Sequence, residues 1–293
     1  MKPAREHAPL RAAFVDGRFV DADAAHVSVF DPYWRAGHGV FESLVVALRS
    51  GRLHGLVEQH VARMRSASER WACGELPAVD VRAVLDELVR RAGLRQARAR
   101  ISLHPEGACP RLVILVEELP ELAARRAAGV ELVTSPFAFG PRDPSPGAKL
   151  EARGLYTAAR LHALAHGADD ALLESADGRV LETTRHNVFV RLGEEAWRTP
   201  PLDGAGMLPG IARQRVLDAL RADGAELAEA PLPAEELRRA LEAARPCAIW
   251  LTNGVVGIEP ARRLDGLEIK KCDRSERQMD RCLRILRSEG MPC

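Results

Sequence analysis

Apolar and polar positions repeat along this chain with two periods, and the switches between them outline its elements. Residues 13–20 alternate around Asp16-Gly17, a dipeptide that admits the positive φ of a tight hairpin turn, so the chain is expected to open as β structure. Residues 26–30 alternate like another strand, and 39–48 followed by Ser50-Gly51 read as a strand entering a turn. Val57, His60, Val61, Met64, Ala67 and Trp71 then recur at helical spacing, leaving Arg63 on a polar flank. A second amphipathic helix is predicted over 79–92, with Val81, Val84, Leu85 and Leu88 on one face and Gly93 as its stop. Strand-like runs follow at 99–103, 112–116 and 130–134.

From Phe137 to Gly147 the periodicity disappears among prolines and glycines, which exclude regular structure. That stretch divides the chain into an N-terminal part (1–137), a linker (138–148) and a C-terminal part (149–293). The second part is predicted to begin with a helix over 151–166. A hairpin over 170–174 and 180–183 follows, turning at Ala176-Asp177-Gly178, with a third strand over 187–191. A helix over 211–222, a strand near 226–230, a helix near 233–243, a strand over 247–252 and a charged helix near 274–287 complete it. Strands and helices are mixed without regular alternation, the pattern of an α+β fold rather than a doubly wound sheet.

Composition narrows the functional classes. With 293 residues and a formal charge of +1, the chain can bury substantial cores and has no global field that selects nucleic acid or an anionic membrane. It lacks an apolar run of about 18 residues, so no membrane span is expected. Residues 1–7 lack the apolar core of a signal peptide, which makes a cytoplasmic protein the expectation. The six cysteines show no CxxC spacing, so neither a metal site nor a disulfide framework is suggested.

Charge chemistry singles out one residue. The only lysines are Lys2, Lys149, Lys270 and Lys271, in a chain whose other side-chain cations are almost all arginine. Arginine cannot replace lysine where a reaction needs an amine that sheds its proton and forms an imine. Gly206-Met207-Leu208-Pro209-Gly210 runs into the N-terminus of a predicted helix, where free amides and the helix dipole suit a phosphate. Thr252-Asn253-Gly254, directly after an apolar strand, is a second place where amides can converge on an anion. A lysine, a carboxylate at Glu182 and two amide-rich loops are the parts that hold pyridoxal phosphate.

In this combination the chain resembles the fold-type IV pyridoxal-phosphate enzymes, the group of branched-chain and D-amino acid aminotransferases and aminodeoxychorismate lyases. The resemblance runs from about Phe14 to Gly266 and rests on motifs in one order. They are Asp31 with Gly37-His38-Gly39-Val40-Phe41-Glu42, the segment Glu58 to Met64, Gly147-Ala148-Lys149, and Gly167-Ala168-Asp169-Asp170. Glu182-Thr183-Thr184-Arg185-His186-Asn187-Val188-Phe189, Thr199-Pro200, Leu208-Pro209-Gly210-Ile211-Ala212-Arg213 and Leu251-Thr252-Asn253-Gly254 with Pro260 complete the set.

The resemblance implies a two-domain fold and an aminotransferase acting on an amino acid and a 2-oxo acid. Its alternatives are the lyase, which expels pyruvate to leave 4-aminobenzoate, and a non-catalytic binding module on the same fold. It further implies pyridoxal 5'-phosphate as cofactor and a homodimer with shared active sites. Lys149 would carry the cofactor as an imine and move the substrate proton, and Glu182 would keep the pyridine nitrogen protonated. Arg63 and the amides of Ile211, Ala212, Asn253 and Gly254 would hold the phosphate, and Leu208 would pack on the ring. The sequence departs from the family at Val45, where a basic residue is common, and at Ala212, where threonine is frequent. A tyrosine five residues past the lysine would fall at Gly154, leaving Tyr156 out of register, while Arg153 is closer to the lyase pattern. Residues 101–107 hold none of the carboxylate-binding arginine often found there.

Overall fold

The computed structural model describes residues 12–21, 24–105, 110–119, 121–140, 147–202, 207–270 and 273–291. The N-terminal heptad, residues 106–107, Gly206 and most of the proline-rich stretch lie outside them. In chain order the elements begin with β1 (Ala12–Val15), β2 (Arg18–Asp21), α1 (Pro32–Ala36), β3 (Val40–Arg49), β4 (Arg52–His54), α2 (Val57–Arg70) and α3 (Val81–Arg91). They continue through β5 (Gln96–His104), β6 (Arg111–Glu118), α4 (Leu122–Ala128), β7 (Val130–Phe139), α5 (Gly154–Ala165), β8 (Asp170–Ser175), β9 (Val180–Thr183) and β10 (Asn187–Leu192). They end with β11 (Trp197–Thr199), α6 (Ile211–Ala222), β12 (Leu227–Glu229), α7 (Ala234–Glu242), β13 (Cys247–Asn253), β14 (Gly257–Leu264), β15 (Leu267–Glu268) and α8 (Asp273–Ser288).

The first sheet is antiparallel, in the order β2-β1-β6-β5-β3-β4. One face is covered by α2 and α3, whose buried stripes (Val57, Val61, Met64 and Ala67; Val81, Val84, Leu85 and Leu88) pack onto Leu44, Val46, Ala99, Ile101 and Ile114. The stripe of α2 also buries His60, a polar group that must find a partner inside.

The second sheet runs β12-β11-β10-β13-β14-β7-β8-β9, and β9 meets β10 again through Glu182 opposite Asn187. That last pairing closes β10, β13, β14, β7, β8 and β9 into a ring, with Glu182 and Asn187 at the closure. The two sheets are joined at main-chain level. Phe41 N donates to Lys149 O (2.8 Å), Glu151 N to Gly39 O (2.9 Å), and Val45 N to Gly254 O (2.8 Å). Lys149 is thereby laid along the start of β3, and the β13–β14 turn is held against its middle.

Several expectations are corrected. Residues 26–30 form no strand, and Val27, Val29 and Phe30 are exposed, because the chain turns into the Asp31-capped α1, whose Tyr33 and Trp34 amides donate to the Asp31 carboxylate. The strand at 130–134 runs on to Phe139 and belongs to the second sheet, between β14 and β8, instead of with the N-terminal part. Pro136 is tolerated because the register with β8 shifts between Thr134 and Ala138, where the ladder needs no N–H from it. Similarly, Pro260 hid β14, in which it stands opposite Trp250. The predicted helix over 151–166 starts at Gly154, and the short α4, which buries no side chain of its own, gave no apolar period to read.

Candidate active site

A cavity of about 910 Å³ lies where the two sheets meet, between β3, α2, the Lys149 segment, the β9–β10 loop, the start of α6 and the β13–β14 turn. Every sequence-predicted site residue reaches it: Arg63, Lys149, Glu182, Leu208, Ile211, Ala212, Asn253 and Gly254 all line its wall.

Lys149 sits with Nζ 4.5 Å from the centroid of the Phe41 ring. Burial, then the neighbouring Arg153 guanidinium, brings its amine from 10.5 down to about 7. Opposite in character, Glu182 is raised from 4.5 to about 7, because burial outweighs the lowering effects of Arg153, Tyr156 and the Leu208 amide. Its Oε1 accepts from Tyr156 Oη (3.1 Å), and its Oε2 from Asn187 Nδ2 (3.2 Å) and Leu208 N (3.4 Å). Asn187 Nδ2 also donates to Leu208 O (3.0 Å), tying the loop before α6 to the ring closure of the second sheet.

Arg63 projects from the polar flank of α2 and is fixed on two sides. Its Nε and Nη2 donate to the two oxygens of Glu42 (2.7 and 2.6 Å), and its Nη1 to Pro209 O (2.8 Å). His60 Nδ1 shares Glu42 Oε2 at 2.7 Å. Burial works to raise the Glu42 carboxyl, but Arg63 and His60 outweigh it and bring it down to about 2. Arg63 is thus delivered to the N-terminus of α6, where Gly210 is the cap and, among the described residues, no side-chain cap hydrogen bond is made. Across the cavity, Asn253 Oδ1 accepts from Val255 N (2.8 Å) and Val256 N (3.0 Å), folding the 253–256 turn onto its own side chain.

Three observations test whether these residues fit a phosphate-bearing cofactor. A Cβ on Gly254 would lie 2.9 Å from Ser43 O and 3.0 Å from the His60 ring, so the backbone lies bare at that wall. A Cβ on Gly210 would meet Asn187 Oδ1 at 2.1 Å. The Thr252 hydroxyl, wholly buried and part of the cavity wall, has no hydrogen-bond partner among the described residues. Bare amides, an uncapped helix start, an oriented guanidinium and an orphaned hydroxyl are complementary to a phosphate, and they stand beside an amine and a carboxyl that both titrate near neutrality.

The sequence profile of the amino-transferase class IV family matches residues 39–264. The chain belongs to the class IV aminotransferases. Enzymes of this class depend on pyridoxal phosphate, and the cavity fits that cofactor. A putative branched-chain-amino-acid aminotransferase of Methanocaldococcus jannaschii is 27% identical over 265 residues, 86% of this chain and 88% of that protein. The branched-chain aminotransferase of Thermoproteus uzoniensis, solved with norvaline, shares the fold with a TM-score of 0.80 at 23% identity, covering 96% of each chain. A hypothetical aminotransferase of Mycobacterium tuberculosis in its pyridoxal-phosphate-bound form superposes with a TM-score of 0.79 at 23% identity, over 95% of this chain and 99% of that one.

Within this class IV aminotransferase, sequence reasoning passed over five residues that shape the site. Glu42 and His60 stood in motifs or on a helix stripe with no role of their own. Asn187 and Thr252 stood in motifs, one at a strand start and one beside a turn, with no contact of their own. Tyr156 was set aside as out of register, yet α5 starts at Gly154 and carries its hydroxyl to Glu182. The signal available for His60 was a polar residue on the apolar face of α2. Val45 is buried in the first sheet and does not line the cavity, so the missing basic residue there removes no group from the wall. Residues 101–104 present no arginine either, but Arg98 and Arg100, earlier on the same strand, do reach the cavity.

Proposed function

We propose that this protein is a transaminase moving an amino group between an amino acid and a 2-oxo acid, with Lys149 as the catalytic residue. The observation that carries this reading is the pairing, across one cavity, of an amine brought down to about 7 with a carboxyl raised to about 7. Pyridoxal phosphate, when bound, supplies the electron sink for the carbon that loses its proton. Lys149, free of its proton near neutral pH, forms the link to the cofactor and carries the substrate proton. Glu182, steadied by Tyr156, Asn187 and the Leu208 amide, holds a proton on the ring nitrogen. Arg63, oriented by Glu42, meets the phosphate together with the amides of Ile211 and Ala212 on one side and those of Asn253 and Gly254 on the other. The Thr252 hydroxyl adds a donor on the Asn253 side, while Ala212 brings no hydroxyl on the α6 side. Leu208 packs against one face of the ring.

Apolar residues of the wall (Leu122, Leu155, Val255 and Val256) and the name of the M. jannaschii relative support an aliphatic amino acid as substrate. Pairing of two chains is part of the same reading: Val29, Phe30 and Trp34 are 62%, 84% and 52% exposed on one segment, a patch suited to burial against a second copy. A cytoplasmic location also belongs to this reading; no helix among the described residues is long and apolar enough to cross a membrane.

The test is to incubate the purified protein with D- and L-amino acids and 2-oxoglutarate, and separately with aminodeoxychorismate. Amino transfer supports the reading. Formation of 4-aminobenzoate without amino transfer makes the protein a lyase, and failure to take up the cofactor makes it a binding module. A further expected result concerns the phosphate side. Gly254→Ala is expected to raise the cofactor dissociation constant by about tenfold or more, because the new methyl meets the Ser43 carbonyl, which cannot swing away. Equilibrium dialysis of the apoprotein checks this, and an unchanged constant removes that turn from the cradle.

A further inference from the structure

Arginines crowd the cavity wall, and all but one of them are paired with carboxylates. Arg63 grips Glu42, and Arg98 donates through Nε to Glu117 at 2.6 Å. Arg100 pairs with Glu151, which also accepts from Ser102 Oγ at 2.9 Å. Arg125 holds Glu259 (2.8 Å through Nη2), and Arg185 lies 3.6 Å from Asp170.

Arg153 differs. Among the described residues it has no carboxylate within ion-pair distance. Its one hydrogen-bond acceptor is the Thr184 carbonyl, 2.5 Å from Nη2. The guanidinium carbon lies 4.3 Å from the centroid of the Tyr156 ring and 5.8 Å from that of Phe41. An aromatic face and a carbonyl therefore hold the group in place while most of its donors stay unassigned, on a residue that lines the cavity. It also borders Phe41, as the Lys149 amine does, so an anion on Arg153 lies on the reaction side of the cavity.

From this geometry we infer that Arg153 is the receptor for the substrate carboxylate. A planar fork held by stacking matches a carboxylate through two parallel hydrogen bonds. A cation kept partly out of water without a counter-ion is costly, and an anionic ligand relieves that cost. The wall supplies the amino acid's anionic end from the start of α5, four residues beyond the lysine. The expected arginine at 101–107 is therefore not needed, and Arg98 and Arg100 are already neutralised within the protein. The inference rests on the transaminase reading above.

The test uses the holoenzyme and its Arg153→Gln and Arg153→Lys variants, with two unreactive probes, 4-methylpentanoate and glutarate, that carry a carboxylate but neither an amino nor an oxo group. Binding is read by calorimetry, and the absorption spectrum and cofactor affinity are recorded without probe. For Arg153→Gln, weakening of the tighter-binding probe by about 10- to 100-fold is expected, with part of it restored in Arg153→Lys and the cofactor affinity kept. The KM for the amino acid rises more than kcat falls. Unchanged probe binding in Arg153→Gln overturns the inference, and so does a shifted spectrum with weakened cofactor and intact probe binding, which would assign Arg153 to the cofactor. Failure of the transaminase reading looks different: the native protein then transfers no amino group from any amino acid, whatever the variants do.

Discussion

Lys149→Ala is expected to lower kcat/KM for amino transfer by about 10⁴-fold or more, because one substitution removes both the amine that links the cofactor and the base that moves the proton. The fold should survive it. Lys149 stands among like charges at Arg153, Arg63 and Arg100, and burial brings its amine down to about 7. A lysine whose folded pKa lies below its unfolded value destabilises the folded state while the unfolded chain binds the extra proton. That penalty is largest below about 7 and fades as pH rises toward 10.5. Unfolding in urea at pH 7 should therefore show the alanine variant at least as stable as the native protein, with the difference closing at pH 10. A loss of stability at pH 7 would mean that the amine is held by favourable contacts instead of being crowded. The same depression makes cofactor uptake by the apoprotein rise with pH through about 7, well below the range of an ordinary lysine. Stopped-flow absorption across pH 5 to 9 measures it, and a midpoint near 10 would contradict the account.

The second large effect lies at the cavity wall, where His186 is one of the lining residues. Asp170 and Glu259 are wholly buried, and His186 lies between them, with Nδ1 3.2 Å from Asp170 Oδ2 and Nε2 3.0 Å from Glu259 Oε1. The Nε2 contact is an ion-pair distance without the alignment of a hydrogen bond. Thr183 Oγ1 also donates to Asp170 (3.0 Å), and Arg125 reaches across from α4 to Glu259. His186→Leu leaves two buried carboxylates without their shared partner and is expected to destabilise the protein by about 3–5 kcal/mol. Denaturant unfolding at pH 7 checks the size.

Its pH dependence has a defined sign. Burial works to raise the Glu259 carboxyl, but the close His186 ring and the Arg125 guanidinium bring it down to about 2, and Asp170 is likewise held below the usual carboxylate range. A carboxyl depressed on folding stabilises the native state above its unfolded value near 4.5, and that contribution is lost as pH falls toward 2. The gap between native and His186→Leu should accordingly narrow from pH 7 to pH 3. A constant gap would assign the loss to packing instead of charge. Because the 183–187 loop also carries the Thr183 and Asn187 contacts, the variant should bind cofactor more weakly as well.

The elements carried by strong periodicity were legible without coordinates. The hairpin at Asp16-Gly17, the stripes of α2 and α3, and the helix opening at Ile211 all stand where apolar spacing and turn residues put them. What was misread shares one cause. Pro136 and Pro260 signal breaks locally, yet each sits in a strand whose neighbours supply the ladder around it, with register shifts beside both β7 and β14. Residues 26–30 alternate correctly for a strand, but no strand among the described residues pairs with them. Local propensity cannot register a partner that lies a hundred residues away.

The site divides along the same line. By itself, the sequence determined the chemistry available: one mid-chain lysine, a carboxylate in a recognisable motif, and glycine-bracketed loops able to bare their amides. Those are properties of residue type and spacing, and they survive without a fold. Only the tertiary structure decided how these groups are tuned and held. Glu42 and His60 orient Arg63, Tyr156 and Asn187 steady Glu182, and Arg153 alone among the arginines on the cavity wall has no carboxylate partner within ion-pair distance among the described residues. Shifted pKa values and unpaired charges arise from burial and from neighbours brought close by folding, and a linear sequence contains neither.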